Sequence, residues 1–424
     1  MSNTWANNTI WWHVYPLGFT GAPIREWNRL EETTTPTPRL RMLIDWLDYA
    51  IELGVNGLLL GPIFDSSTHG YDTLDHFRID PRLGDESDFD ALIAACHQRG
   101  IRVVLDGVFS HVGREHPLVQ EALATGPDSG SFASSLFDID WHTAAGPRPR
   151  VWEGHESLVR FKHSNPQTIN YVIDVMAHWL NRGIDGWRLD AAYSVPNHFW
   201  SRVLDTIHEQ YPHTWILGEV LHGDYARFVA DSGADTVTQY ELWKSIWSSI
   251  KDKNFFELDW TLKRHNDMLT HFIPNTFIGN HDVTRIASQV GTAGAIGALT
   301  ILMTVGGIPS IYYGDEQGYT GIKRQALGGD DDVRPRFPAL PEQFSHLGKE
   351  IYEVHRALIA IRRQHPWLAN AHTEVRELTN ERICYRSTPT NPQTEPNTWL
   401  ESTIDLTDDV RIIIADSTHH IWHR

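Results

Sequence analysis

The chain has 424 residues, 41% of them hydrophobic, enough for a large core and for two or three structural units. Its 36 Lys and Arg against 54 Asp and Glu give a formal net charge of −18. That charge argues against nucleic acid or an anionic membrane as partner, since both need a basic face.

Ile10 to Pro16 is an apolar, aromatic run that reads as a strand, and Gly18 to Pro38, rich in Pro and Thr, reads as loop. Leu40 to Leu53 has helical spacing and is stopped by Gly54. Val55 to Leu60 is a buried strand, followed by a long loop containing HGYDTLDHFRIDPRLG (69–84). Asp88 to Gln98 is a helix ended by Gly100, and Ile101 to Leu105 is another continuous apolar strand, ending at Asp106. Strands this uniformly apolar, alternating with helices, belong to a parallel sheet covered on both faces. From Phe109 to about Asn165 the rhythm breaks into a segment rich in Gly, Pro, His and Ser. Its scattered aromatics favour a functional insertion.

The rhythm then resumes. Helices are expected over Gln167 to Arg182, Asn197 to Gln210, Tyr225 to Ser232, Leu242 to Leu269 with a break near Asn254, Gly294 to Thr304 and Leu347 to Gln364. Strands are expected over Gly186 to Leu189, Trp215 to Val220, Thr236 to Tyr240, Thr276 to Gly279 and Ile308 to Tyr313. Eight βα units with one insertion after the third strand predict an α/β fold, a (β/α)8 barrel. The barrel is expected over 1–108 and 165–366, the insertion over 109–164. After Pro366, short alternating runs predict a small antiparallel β domain over 367–424 packed on the barrel.

Cys96 lies in a helix pattern and Cys384 in a distant strand pattern, so a disulfide is not expected and a reducing compartment fits. The N-terminal stretch MSNTWANNTIWWHVYP has no basic segment followed by an apolar one, and no window approaches 18 apolar residues. The chain therefore reads as a cytoplasmic protein without leader or membrane span.

In such a barrel, chemistry collects at the C-terminal ends of strands. Those ends carry Asp106, His111, Arg188, Asp190, Glu219, His281 and Asp282. Arg188 and Asp190 sit two apart, so on a strand both point to one side, and the arginine is expected to keep the carboxylate ionised. Each residue alone fits a structural ion pair. Several acid–base groups, each at a strand end, are hard to explain by core packing. The 17 Trp residues serve as core fillers or as stacking surfaces for sugar rings, and composition does not separate the two.

The sequence resembles the α-amylase family, glycoside hydrolase family 13. The resemblance rests on HGYDTLDHFRIDPRLG (69–84), DGVFSH (106–111), GWRLDAA (186–192), LGEV (217–220), FIGNHD (277–282) and IYYGDE (311–316), in the family's order. It implies a retaining hydrolase of α-glucosidic bonds, mainly α-1,4, with an oligosaccharide as its partner. It also implies Asp190 as nucleophile, Glu219 as general acid and then base, and Asp282 as the carboxylate that distorts the sugar. Arg188 would orient Asp190, His111 and His281 would bind the sugar at the cut bond, Tyr71 would stack beneath it, and Asp72 and Asp106 would support that shell. His76 reads as a packing residue.

The chain departs from the family in three places. Ser110 stands where many relatives have an Asn that ligates calcium, and Tyr193 and Ser194 replace a Lys-His pair that follows the nucleophile. The insertion and C-terminal unit are also short. No convincing set of oxygen ligands remains, so no cofactor and no calcium at the usual place are expected. The short cleft wall favours small soluble maltooligosaccharides. GGDDDVRPRF (328–337) follows the eighth strand and places Arg334 or an Asp near the pocket, or else forms a solvated acidic loop. A transglycosylase, a sucrose-type phosphorylase or a sugar isomerase would use the same carboxylates. A non-catalytic sugar-binding protein fits less well, because all three carboxylates are intact. No residue pattern speaks to the oligomeric state.

Overall fold

The computed structural model describes residues 5–127, 130–391 and 397–424. Part of the stretch read for a leader (1–4), two residues of the insertion and five of the C-terminal unit lie outside the described residues.

Eight parallel strands form the central sheet: β1 (Trp11–Val14), β2 (Gly57–Leu60), β3 (Arg102–Gly107), β4 (Gly186–Leu189), β5 (Trp215–Gly218), β6 (Thr236–Val237), β7 (Asn275–Phe277) and β8 (Ile308–Tyr312). Each pairs with its sequence neighbour, β8 returns to β1, and a Thr238–Asn275 bridge joins β6 to β7. The expected (β/α)8 barrel is therefore the observed fold.

Alternation along the strands sorts the side chains into two environments. Outward residues such as Trp12, Leu58, Val103, Leu105, Trp187 and Ile216 pack against the helix ring. Inward residues at the bottom form a separate plug of Trp11, Leu59, Val104, Trp215, Leu217 and Ile308. Trp11 and Trp215 stack there at 5.1 Å between centroids. A buried indole removes roughly 200 Å² from water, worth on the order of 5 kcal/mol before entropy is counted. Gly57 makes the stack possible, since a Cβ there would meet the Trp11 ring at 2.4 Å. The same inward register, continued upward, turns polar: His13, Asp106 and Arg188 are all buried above the plug.

Several local expectations need correction. Residues 18–38 are not all loop, because Arg29–Thr34 is a helix capped by the Asn28 side chain. The helix expected over Leu40 to Leu53 is two helices, Arg41–Asp45 and Leu47–Leu53, parted at the buried Trp46. The long loop after β2 contains an antiparallel pair, Phe64–Ser66 with Thr73–Ile79. Tyr240 begins a helix instead of ending β6. Helix Ile286–Thr304, kinked at Gly291, is long and apolar enough by composition to cross a membrane, with mean hydropathy 1.5. Two-thirds of that stretch is buried in the protein.

The segment after β3 carries helices Pro117–Thr125 and Phe132–Leu136 and a three-stranded sheet of His111–Gly113, His155–Arg160 and Val151–Trp152. Beyond the barrel, β9 (Ala371–Leu378), β10 (Arg382–Pro389), β11 (Leu400–Asp405), β12 (Arg411–Asp416) and β13 (His420–His423) form an antiparallel meander. It docks on helix Ile286–Thr304, where Tyr385 Oη meets Thr304 Oγ1 at 2.7 Å and Ser387 Oγ donates to the Thr304 carbonyl.

Candidate active site

The centre of the site is a single guanidinium. Arg188 is paired in register with Asp106 across β3 and β4, so both inward side chains meet below the barrel mouth. Its Nη1 lies 2.6 Å from both Asp106 oxygens and 3.2 Å from Asp190 Oδ1. Its Nη2 lies 2.6 Å from Glu219 Oε1. One buried arginine therefore faces three buried carboxylates from three adjacent strands.

That imbalance overturns the expectation that Arg188 keeps Asp190 low. Burial first, and the neighbouring Glu219 carboxylate second, push Asp190 well above the usual carboxylate range against the pull of Arg188. Burial likewise raises Asp106. Glu219 is surrounded by donors: besides Arg188, the Ala191 amide donates to Oε2 at 3.0 Å and Tyr240 Oη to Oε1 at 3.1 Å. Ala191, directly after Asp190, holds φ 44° and ψ 37°, a left-handed conformation that a non-glycine residue adopts at a cost. That conformation aims its amide at Glu219.

Asp282 enters from the loop after β7. His281 Nε2 and Arg334 Nη2 each lie 2.9 Å from its carboxylate. Burial opposes its charge, but His281 and Arg334 outweigh it and hold Asp282 well below the usual carboxylate range. Arg334 also donates to the His281 carbonyl at 3.0 Å, pairs with Asp330 at 3.1 Å, and lies over the Tyr15 ring. Gly18 lets that loop approach, because a Cβ there would meet the Arg334 carbonyl at 2.4 Å. Of the two readings of GGDDDVRPRF, the one that places Arg334 at the pocket is observed.

These groups surround a cavity of about 490 Å³. Tyr71, His111, Asp190, Glu219, Asp282 and Arg334 line it. Asp106, Arg188 and His281 sit beneath it and act on its lining: Tyr71 Oη bonds Asp106 at 3.1 Å and also contacts His281 Nε2. Asp72 does not join them, because its carboxylate turns away to the Thr68 amide and hydroxyl, at 3.0 and 2.6 Å. Burial lowers His111 to about 3, so its ring is neutral. Its Nδ1 accepts from Ser110 Oγ at 2.8 Å and its Nε2 donates to the Tyr71 carbonyl at 3.0 Å. His76 bonds Tyr171 and the Val108 carbonyl within the core, as a packing residue does.

Ser110 spends its hydroxyl on His111, and the Tyr193 phenol bonds Glu153 at 3.0 Å. The residues at the two altered positions are thus engaged within the protein, a poor fit to a calcium site there. Among the described residues no cluster of three or more His, Cys, Asp or Glu is arranged to hold a metal.

Sequence reasoning missed Tyr240, although a C-terminal strand end was the right place to look. It also missed Trp152, Glu153 and His155 from the insertion and Lys323, all of which line the cavity; the Asp that the sequence reading offered beside Arg334 is Asp330, and Tyr193, read only as a departure from the family, lines the cavity too.

A closed parallel barrel with three converging carboxylates at its C-terminal face defines an α/β-barrel of the glycoside hydrolase type. A family model described as alpha amylase, catalytic domain, matches residues 14–344, and the chain belongs to that family. Among curated proteins it is 32% identical over 391 residues to a cyclomaltodextrinase of Geobacillus thermopakistaniensis. That match takes 85% of this chain but only 63% of the relative, so the chain spans less than two-thirds of that protein's length. Among solved structures, a Nostoc punctiforme debranching enzyme superposes with TM-score 0.79 at 26% identity, covering 98% of this chain and 90% of that one. A cyclic α-maltosyl-(1→6)-maltose hydrolase of Arthrobacter globiformis, in complex with maltose, gives 0.78 at 25%, covering 95% and 92%.

Proposed function

We propose that the chain is a retaining hydrolase of α-glucosidic bonds, mainly α-1,4, acting on maltooligosaccharides or their cyclic relatives. The observation that carries this reading is the contact of one buried Arg188 with both Asp190 and Glu219 at the floor of a sugar-sized cavity. A retaining mechanism needs two carboxyl groups sharing one proton. Asp190 attacks the anomeric carbon as Glu219 protonates the glycosidic oxygen, so one C–O bond forms while the other breaks. Glu219 then takes a proton from water, and that water's oxygen displaces Asp190. Asp282, held ionised, places negative charge beside the oxocarbenium-like transition state. The named activities of the relatives, on cyclomaltodextrins and maltosyl compounds, support this substrate class.

The test is a time course with maltoheptaose, resolving every product. Products all shorter than seven units with rising reducing ends are expected. Longer products without that rise would identify a transglycosylase instead. We also place the protein in the cytoplasm, which its two unpaired, buried cysteines support. No calcium is required in this reading, so a chelator is expected to leave rate and melting temperature nearly unchanged. A fall of several-fold in rate would contradict it.

A further inference from the structure

The inward face of the barrel changes from an apolar plug to a charged site, and a second, much smaller cavity is lined by members of both. It measures about 20 Å³. Leu59 and Leu217 of the plug line it, as do Arg188 and Glu219 of the site. Every residue lining it is buried. One water needs roughly 10–15 Å³ of such space and about two to four polar partners.

The partners come from three adjacent strands, β1, β8 and β7, which bring His13, Ser310 and Asn275 to this cavity. His13 Nε2 has no hydrogen-bond partner among the described residues. Burial first, then the neighbouring His281 and Arg188, hold His13 well below its ordinary value, so the ring is neutral. Asn275 Nδ2 donates to the Ile308 carbonyl at 3.0 Å and to Ser310 Oγ at 2.8 Å. That leaves the Asn275 side-chain oxygen to accept and the Ser310 hydroxyl to donate. Water is small enough for this space and both donates and accepts.

We propose that this cavity is a single-water site held by His13, Asn275 and Ser310, that its water solvates the Arg188–Glu219 contact from inside the barrel, and that His13 is thereby a positioning residue for the general acid. The role given to Glu219 rests on the hydrolase reading above. A packing role for His13 is the competing account, because its ring lies edge-on to His281 at 5.1 Å and to Tyr312 at 5.4 Å between centroids. The two accounts predict opposite tolerance to substitution. Packing needs the ring, whereas the water needs a polar atom.

A crystal structure of the wild-type protein, at a resolution that shows ordered water, tests the site itself. One water within hydrogen-bond distance of His13 Nε2 is expected; a dry cavity, or a scatterer heavier than water, would overturn it. Kinetics on maltoheptaose then test the positioning. His13→Phe keeps a ring and loses the polar atom, and its kcat is expected to fall about fivefold with KM little changed, the worth of one hydrogen bond. The alkaline limb of its kcat profile, set by Glu219 and Asp190 beside Arg188 and Tyr240, should move up by roughly half a unit, because an ionised Glu219 loses solvation. His13→Gln loses the ring, keeps a polar atom, and should stay within about twofold of wild type. A Gln variant as impaired as the Phe variant, or a limb that does not move, would overturn the positioning role. If His13→Phe does not fold, Ser310→Ala, which removes one partner of the water, should move the limb in the same direction. A wild-type protein that does not turn over maltoheptaose would contradict the hydrolase reading, while the crystal structure would still decide the water site.

Discussion

Two buried arginines stand at the barrel mouth, and the difference between them separates a structural site from a chemical one. Arg285 meets one carboxylate, Asp315, at 2.8 Å, with side-chain exposures of 0% and 2%. Its second nitrogen donates to the Val333 carbonyl, and the Tyr312 ring lies over it. That pair is matched in charge and sealed from solvent. Arg188 meets three carboxylates, and two of them, Asp190 and Glu219, line an open cavity. A matched pair lowers the energy of the fold only modestly, because desolvation offsets most of the attraction. An unmatched set costs stability and stores a reactive protonation state. Burial of an arginine beside a carboxylate is therefore no mark of function; unbalanced charge facing a cavity is.

The sharpest way to break the comparison is Asp190→Asn. Turnover of maltoheptaose is expected to fall on the order of 10⁴-fold. The fold should gain rather than lose. A carboxyl raised on folding contributes stability that is present at low pH and lost as pH rises through its folded value, so the Asn variant should melt higher at neutral pH. Melting curves at pH 4 and pH 8 check this, and a lower melting temperature at pH 8 would contradict it. The reverse outcome is expected for Arg285→Met, which leaves Asp315 buried without its partner. It should cost about 3 kcal/mol of stability while the folded fraction keeps its KM, as read by denaturant titration beside kinetics.

A smaller effect is expected at Glu316, next to the sealed pair. Burial raises it from 4.5 to about 7 and Asp315 from 3.8 to about 6. The stability these two contribute is therefore fully present below their unfolded values and lost as pH climbs to about 7. Glu316→Gln still accepts from the Gly314 amide, reverses the Tyr49 contact so that the side-chain amide donates to Tyr49 Oη, and removes the titrating proton. It should flatten the fall in unfolding free energy between pH 5 and pH 8 by roughly 3 kcal/mol or less. An unchanged slope would place Glu316 outside that transition.

How much of this could be read without coordinates differs by feature. Continuous apolar runs ending in a charged residue marked β3, β4 and β5, because a strand buried on both faces has no other reason to stop at Asp106, Asp190 or Glu219. Helix boundaries at Asn197–Gln210 and Tyr225–Ser232 were equally clear, their apolar faces being unbroken. The rise of Asp190 was not legible, because the sequence reveals its arginine partner and the neighbouring strand ends but not how far burial outweighs that arginine. Asp72 misled for a similar reason: its place in the 69–84 motif says nothing about the Thr68 turn that captures it. Nor could the docking of Trp152 on Ser194 be seen across 42 residues, since nothing local encodes a tether between an insertion and the strand it covers.

The central claim is that Asp190, raised though it is in the free pocket, becomes the nucleophile when substrate binds. The direct measurement is covalent trapping with a 5-fluoro-α-glucosyl fluoride, followed by mass spectrometry of the digested protein. A glycosyl adduct on the peptide carrying Asp190, absent in Asp190→Asn, is the predicted result. An adduct on Glu219 or Asp282, or products released with inverted anomeric configuration, would contradict it.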